Sequence, residues 1–127
     1  VELLSVLLVM ATLAMVAVTS YRHYGTRVRR MEGRQLLLDA VLSQQRYQAR
    51  HGKPASDVEA LQTPLLSTGG HYELAMSAQL DDEGFLLVAR PRGPQVRDAC
   101  GELAIDHLGR TFPAPEDKER HRHGACW

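Results

Sequence analysis

The stretch VELLSVLLVMATLAMVAVTSYRHYGTRVRR, residues Val1 to Arg30, decides the architecture. Leu3 to Val18 is sixteen residues without a charge, interrupted only by Ser5 and Thr12. As a helix, Val1 to Tyr21 spans about 30 Å at about 1.5 Å per residue, which matches the hydrocarbon core of a bilayer. The run is apolar all round, so it has to be buried in lipid or in other protein. A remaining body of about a hundred residues is too small to enclose it as a core helix. A secretory signal is also a poor fit, because no basic region precedes the run and Tyr21-Arg22-His23-Tyr24 follows in place of a small-residue cleavage site. A carboxylate at Glu2, inside the end of a membrane helix, is costly and needs a partner.

Beyond Tyr21 the pattern becomes amphipathic. Val28, Met31, Leu38, Val41 and Leu42 fall at helical spacings between arginines and glutamines, and this predicts a face packed on the rest of the chain. Only Gly25 and Gly33 weaken a helix between Leu3 and Arg50, each by about 1 kcal/mol against alanine. His51-Gly52-Lys53-Pro54 is a stop signal, with glycine past the end and proline after it. The expectation is one helix of about fifty residues, about 75 Å long.

The whole chain has 127 residues, 44% hydrophobic and 24% charged. That balance excludes a disordered, collagen-like or bare coiled-coil chain and makes one folded body the default. Its net charge of zero is unevenly built. Arg22 to Lys53 holds eight basic residues against Glu32 and Asp39, a net of +6, and Pro54 to Trp127 holds seven basic and twelve acidic, a net of −5, with Glu2 making the balance. The basic run Arg27, Arg29, Arg30 and Arg34 reads either as a solvated face or as a contact with an acidic patch on a neighbour.

After the helix, Ser56-Asp57 predicts a cap for a short turn through Leu61. Pro64 and Gly69-Gly70 mark a loop. Tyr72, Leu74, Met76, Ala78 and Leu80 then alternate with polar and small residues as a half-buried strand. Asp81-Asp82-Glu83-Gly84 reads as a turn and lacks the ligand alternation of a calcium loop. Phe85 to Ala89, Leu103 to Asp106 and Thr111-Phe112 are three further strands, giving an antiparallel meander on a long helix, an α+β arrangement. The organisation is an apolar segment over residues 1–20 and a body over 21–127. Within the body lie an amphipathic helix at 21–51, a sheet at about 71–112 and a cysteine loop at 100–126.

Cys100 and Cys126 are the two cysteines. A disulfide between them is worth about 3–4 kcal/mol in the chain-entropy model and needs an oxidising compartment. The alternative is zinc held by His121, His123 and Cys126 with Cys100 or His107, although the spacing is not a common finger spacing. The positive-inside rule would put the body in the cytoplasm, and a disulfide would put it outside. The tail residues Lys118, Arg120, His121, Arg122 and His123 are locally basic. They read as a solvated loop or as a contact for DNA phosphates or an acidic surface, with Glu116, Asp117 and Glu119 partly cancelling them.

The head V-E-L-L-S-V-L-L-V-M, the stalk Y-R-H-Y-G-T-R-V-R-R-M-E-G-R and the segment G-P-Q-V-R-D-A-C-G-E-L-A-I-D-H-L-G-R with the final A-C-W together resemble type IV pilins, in particular the PilE-type minor pilins of Gram-negative bacteria. In that group a Gln, an Asp and a Cys, here Gln95, Asp98 and Cys100, precede a strand and a glycine turn. Family members carry a few residues before the one matching Val1, so Val1 is expected not to be the mature N-terminus. Ala11 and Thr19 stand where many pilins have the glycine and proline that let the helix melt locally.

The resemblance implies the pilin fold, with a disulfide-closed C-terminal loop on the outer surface. It implies a subunit that undergoes methylation, is stored in the inner membrane with its body in the periplasm, and is extruded into a helical filament. The implied partners are major and minor pilins, an inner-membrane assembly platform and a prepilin peptidase. Glu2 is then expected to attract the N-terminal amine of an adjacent subunit, and Arg27, Arg29, Arg30 and Arg34 to meet acidic residues of neighbours. No nucleophile elbow, phosphate loop or paired-acid motif points to an enzyme or a cofactor. The expected role is a structural minor pilin in pilus biogenesis, twitching motility or adhesion. The alternatives are a DNA-binding or adhesive competence pilin using the basic tail, a type II secretion pseudopilin and, more distantly, a metal-binding membrane-anchored domain.

Overall fold

The structure, a computed structural model, describes residues 1–77 and 84–127. The turn read at Asp81, Asp82 and Glu83, and the strand positions Ala78 and Leu80, lie outside them.

Helix α1 runs unbroken over Glu2–His51. It ends at Gly52, whose φ of 75° is the left-handed conformation a glycine adopts freely and whose N–H donates to Gln48 O. An 18-residue window of its apolar half has mean hydropathy 2.3, and none of that window is buried. Its buried face begins just past the midpoint of the helix, with Arg30, Gly33, Leu36, Leu37, Ala40 and Gln44.

That face differs from the one the periodicity suggested. Val28, Met31, Leu38 and Leu42 are 43, 64, 48 and 50% exposed, and only Val41 packs against the core. The physical reason is close approach. A Cβ on Gly33 would lie 3.0 Å from the ring of Tyr72 and 3.1 Å from Leu103 Cδ1, so the helix meets the sheet through small and hydrogen-bonding residues there.

The sheet is an antiparallel meander of β1 (Tyr72–Ser77), β2 (Leu86–Pro91), β3 (Leu103–Asp106) and β4 (Thr111–Phe112), in the order β1-β2-β3-β4. Register pairs Leu74 with Ala89, Leu87 with Ile105 and Ala104 with Phe112. Period-two alternation turns Tyr72, Leu74, Leu87, Ala89, Leu103 and Ile105 into the core with Leu36, Leu37 and Ala40. Strand β2 continues past its expected end to Pro91, opposite Tyr72, and the ladder is closed by Arg92 N–H to His71 O at 2.8 Å. Asp57 caps the short 3₁₀ turn Glu59–Leu61 through Ala60 N–H.

Candidate functional site

The stalk, the turn before Cys100 and the C-terminal tail are joined by a clasp centred on Arg30. This arginine is 1% exposed and faces Asp98, at the end of the 3₁₀ turn Gly93–Arg97. Arg30 Nε donates to Asp98 Oδ2 at 2.7 Å and Nη2 to Oδ1 at 2.6 Å, a bidentate pair. Its remaining Nη1 donates at 3.3–3.4 Å to the carbonyls of His123, Gly124 and Ala125. Arg34, one turn on, donates to Cys126 O at 2.9 Å and Ala125 O at 3.1 Å. Gln95 Nε2 ties the same cluster to Thr26 O, Tyr72 Oη and Asp98 Oδ2. Burial pushes the Tyr72 hydroxyl up to about 12, the Gln95 hydrogen bond opposing it, so the phenol stays neutral.

Cys100 and Cys126 are joined to each other in a disulfide, which removes both sulfurs from the zinc reading. His121 is committed inside the same tail: its Nδ1 accepts from Cys126 N–H at 3.1 Å and its Nε2 lies 3.1 Å from Ala114 O. Arg120 and Arg122 are exposed in the 3₁₀ turn Arg120–His123, and each pairs locally, with Asp117 and Glu119. Lys118 and His123 are exposed.

The four stalk arginines therefore divide. Arg30 and Arg34, expected to reach neighbours, turn inward onto the body's own tail. Arg27 is exposed and Arg29 half-buried, and neither has an ion pair among the described residues. Glu2 stands exposed in the first turn of α1. Opposite the body, Tyr21, Tyr24, Val28, Met31, Leu38 and Leu42 form an exposed apolar stripe that continues the greasy half of the helix. On the sheet's far face an open groove of about 990 Å³ is floored by Val88, Ala104, Phe112 and Pro113. Its rim carries Arg90, Arg110 and Arg120 paired with Glu102, Asp106 and Asp117, so its charges cancel.

A family model described as "Type IV minor pilin ComP, DNA uptake sequence receptor" matches residues 19–104, from the stalk through Asp98 into β3. This chain belongs to that family. As a ComP-family minor pilin it is also similar to a solved type IV pilin from Shewanella oneidensis, with 26% identity and a TM-score of 0.59 over 80% of this chain and 97% of that one. Among curated proteins no sequence matches. Belonging to the type IV minor pilins, it is a subunit that associates with other pilins in a pilus, and its N-terminal apolar helix suits membrane anchoring.

Sequence reasoning found the cysteines and the basic stalk but not the clasp. Gln95 and Asp98 had a signal, their place before Cys100 in the pilin-like segment, yet that gave them no partner. Glu32 was missed as well. It accepts from Ser67 Oγ and Gly69 N–H and lies 3.2 Å from His71 Nδ1, holding the loop before β1 on the stalk.

Proposed function

We propose that this minor pilin is held in the inner membrane by Glu2–Ser20 with its body in the periplasm. On extrusion it exchanges lipid for the helices of neighbouring pilins. The observation that carries this is the apolar stripe from Tyr21 to Leu42 on the side of α1 away from the body, continuous with an apolar half that nothing in the subunit covers. A monomer gains nothing from exposing six large apolar side chains in line, and a bundle of such helices buries them. Lipid and filament core are both apolar, so the exchange itself is nearly neutral and register has to come from polar pairs. Glu2, with an amine of the adjacent subunit, and Arg27 and Arg29, with acidic bodies of neighbours, are the groups proposed for that. The role is structural, with no catalytic step. Met31→Lys or Leu38→Lys tests it: the variant should accumulate in the membrane with an intact disulfide yet drop out of sheared pili. Normal incorporation of both variants would overturn it.

A second reading, DNA capture, is favoured by the family description and by the tail residues Lys118, Arg120, Arg122 and His123, which are exposed, with His121 half-buried among them. Local pairing of Arg120 and Arg122 and the neutral groove weaken it. Duplex DNA binding whose affinity falls steeply with salt and with Lys118→Ala/Arg122→Ala would support it. Salt-independent or absent binding would not.

A further inference from the structure

We propose that the cations at the foot of the body, Arg22 and Arg27 with the His23–His123 pair, form a surface for anionic phospholipid headgroups while the subunit is stored in the membrane. The inference rests on the membrane-stored reading above and gives that state a specific lipid partner.

Three observations carry it. The first is height. Arg22, His23 and Arg27 follow Tyr21 by one, two and six residues. At about 1.5 Å per residue they stand about 2–9 Å beyond Tyr21 along the helix axis. The headgroup region adds about 5–8 Å on each side of a core about 30 Å thick. Arg22 and His23 thus lie among headgroups, and Arg27 lies within a Debye length of about 8–10 Å. Tyr21 and Tyr24, exposed at the same level, suit the interface where amphipathic aromatics collect.

The second is that the fold brings the tail down to this level. The His123 ring is tilted against that of His23, with centroids 5.1 Å apart. A Cβ on Gly124 would lie 3.2 Å from Arg27 Cδ. The carbonyls of His123 and Gly124 are held there by Arg30. The foot of the body is therefore a composite of stalk and C-terminal loop.

The third is that these cations are unspent. Among the described residues no carboxylate pairs with Arg22 or Arg27, whereas the arginines of the tail and of the groove are all paired. Unpaired cations next to a membrane helix are the pattern that attracts anionic lipid. Duplex DNA has the same phosphate chemistry, but a site flush with the membrane exit of the helix favours the lipid. On extraction the same arginines are released for acidic neighbours.

The test inserts the full chain into nanodiscs of phosphatidylcholine, alone or with a minority of phosphatidylglycerol, and counts lipids retained on the protein by native mass spectrometry. Phosphatidylglycerol should be retained preferentially, less so in high salt, and Arg22→Gln and Arg27→Gln should each lower the preference about fivefold. Arg46→Gln, exposed much farther up the stalk, should leave it unchanged. Equal retention of the two lipids, or an equal loss with Arg46→Gln, overturns the inference while leaving membrane storage intact. Failure to insert into either disc overturns membrane storage and this inference with it. Duplex DNA that binds phosphatidylcholine discs through the same arginines and displaces phosphatidylglycerol assigns the surface to DNA and overturns the lipid role.

Discussion

Arg30 and Asp98, 68 residues apart in sequence, meet through two parallel hydrogen bonds with both side chains 1% exposed, and the guanidinium edge left over holds the C-terminal carbonyls. One ion pair thus fixes three things: the stalk, the turn before Cys100 and the end of the chain.

Removing one partner should therefore cost far more than removing both. Asp98→Ala strands a buried guanidinium and should lower the stability of the full chain by about 3–5 kcal/mol. It should also speed reduction of Cys100–Cys126, because the tail loses its anchor. Arg30→Met with Asp98→Leu should cost much less. Denaturant midpoints and thiol-release rates measure both, and an Asp98→Ala protein as stable as the parent would contradict the arrangement.

The disulfide closes a loop across a sequence separation of 26 residues, and the tail it closes has little apolar surface of its own. Loop closure of that length is worth about 3–4 kcal/mol. Cys100→Ser/Cys126→Ser should lose that much stability and leave the tail open to proteases, while the helix signal in circular dichroism stays near normal. A double variant that unfolds at the parent's denaturant midpoint would show that Arg30 and Arg34 hold the tail without the bond.

The strands were legible because alternation, as at Tyr72–Ser77, and the turn residues that bound short apolar runs are local signals. Leu103–Asp106 and Thr111–Phe112 lie where the pattern put them. The helix was legible in extent, since a stop at His51-Gly52 needs no tertiary information. Its facing was not legible. Hydrophobicity marks the inward face only when the other face meets water, and here Val28, Met31, Leu38 and Leu42 look outward while Arg30, Gly33 and Gln44 look in. Under the proposed function such a helix has two dry faces, with Leu36 and Leu37 on the one against the body and Val28, Met31, Leu38 and Leu42 on the one proposed to meet neighbouring subunits. The pairing of Arg30 with Asp98 carries no short-range signal, because it exists only once β1–β3 have folded onto the stalk.

Two helical glycines should respond in opposite senses. A Cβ at Gly25 meets nothing within 4 Å, so Gly25→Ala should stabilise by up to about 1 kcal/mol through helix propensity. At Gly33 the added carbon would sit 3.0 Å from the ring of Tyr72, which is fully buried with its hydroxyl held by Gln95. That ring has nowhere to move, so Gly33→Ala should destabilise by about 1–3 kcal/mol despite the same propensity gain. Equal shifts in melting temperature for the two variants would refute the close helix–sheet contact.

Acid should weaken the body through two carboxylates. Burial alone would raise the pKa of Glu32, but hydrogen bonds from His71, Ser67 and Gly69 N–H more than offset it and hold the group below its ordinary 4.5. Burial likewise opposes, and the Arg110 and Leu108 hydrogen bonds outweigh it, at Asp106, held below 3.8. A carboxylate with a depressed folded pKa lends stability that is fully present above its unfolded pKa and is lost as pH falls through the folded one. Stability should thus be level from neutrality down to about pH 5 and decline below it. Glu32→Gln and Asp106→Asn should each flatten that decline while lowering stability at pH 7. Glu32 is a quarter exposed and should contribute less than Asp106, which is 8% exposed. Denaturation curves collected from pH 7 to pH 3 would measure the slopes, and profiles unchanged by either substitution would mean that the acid sensitivity resides elsewhere.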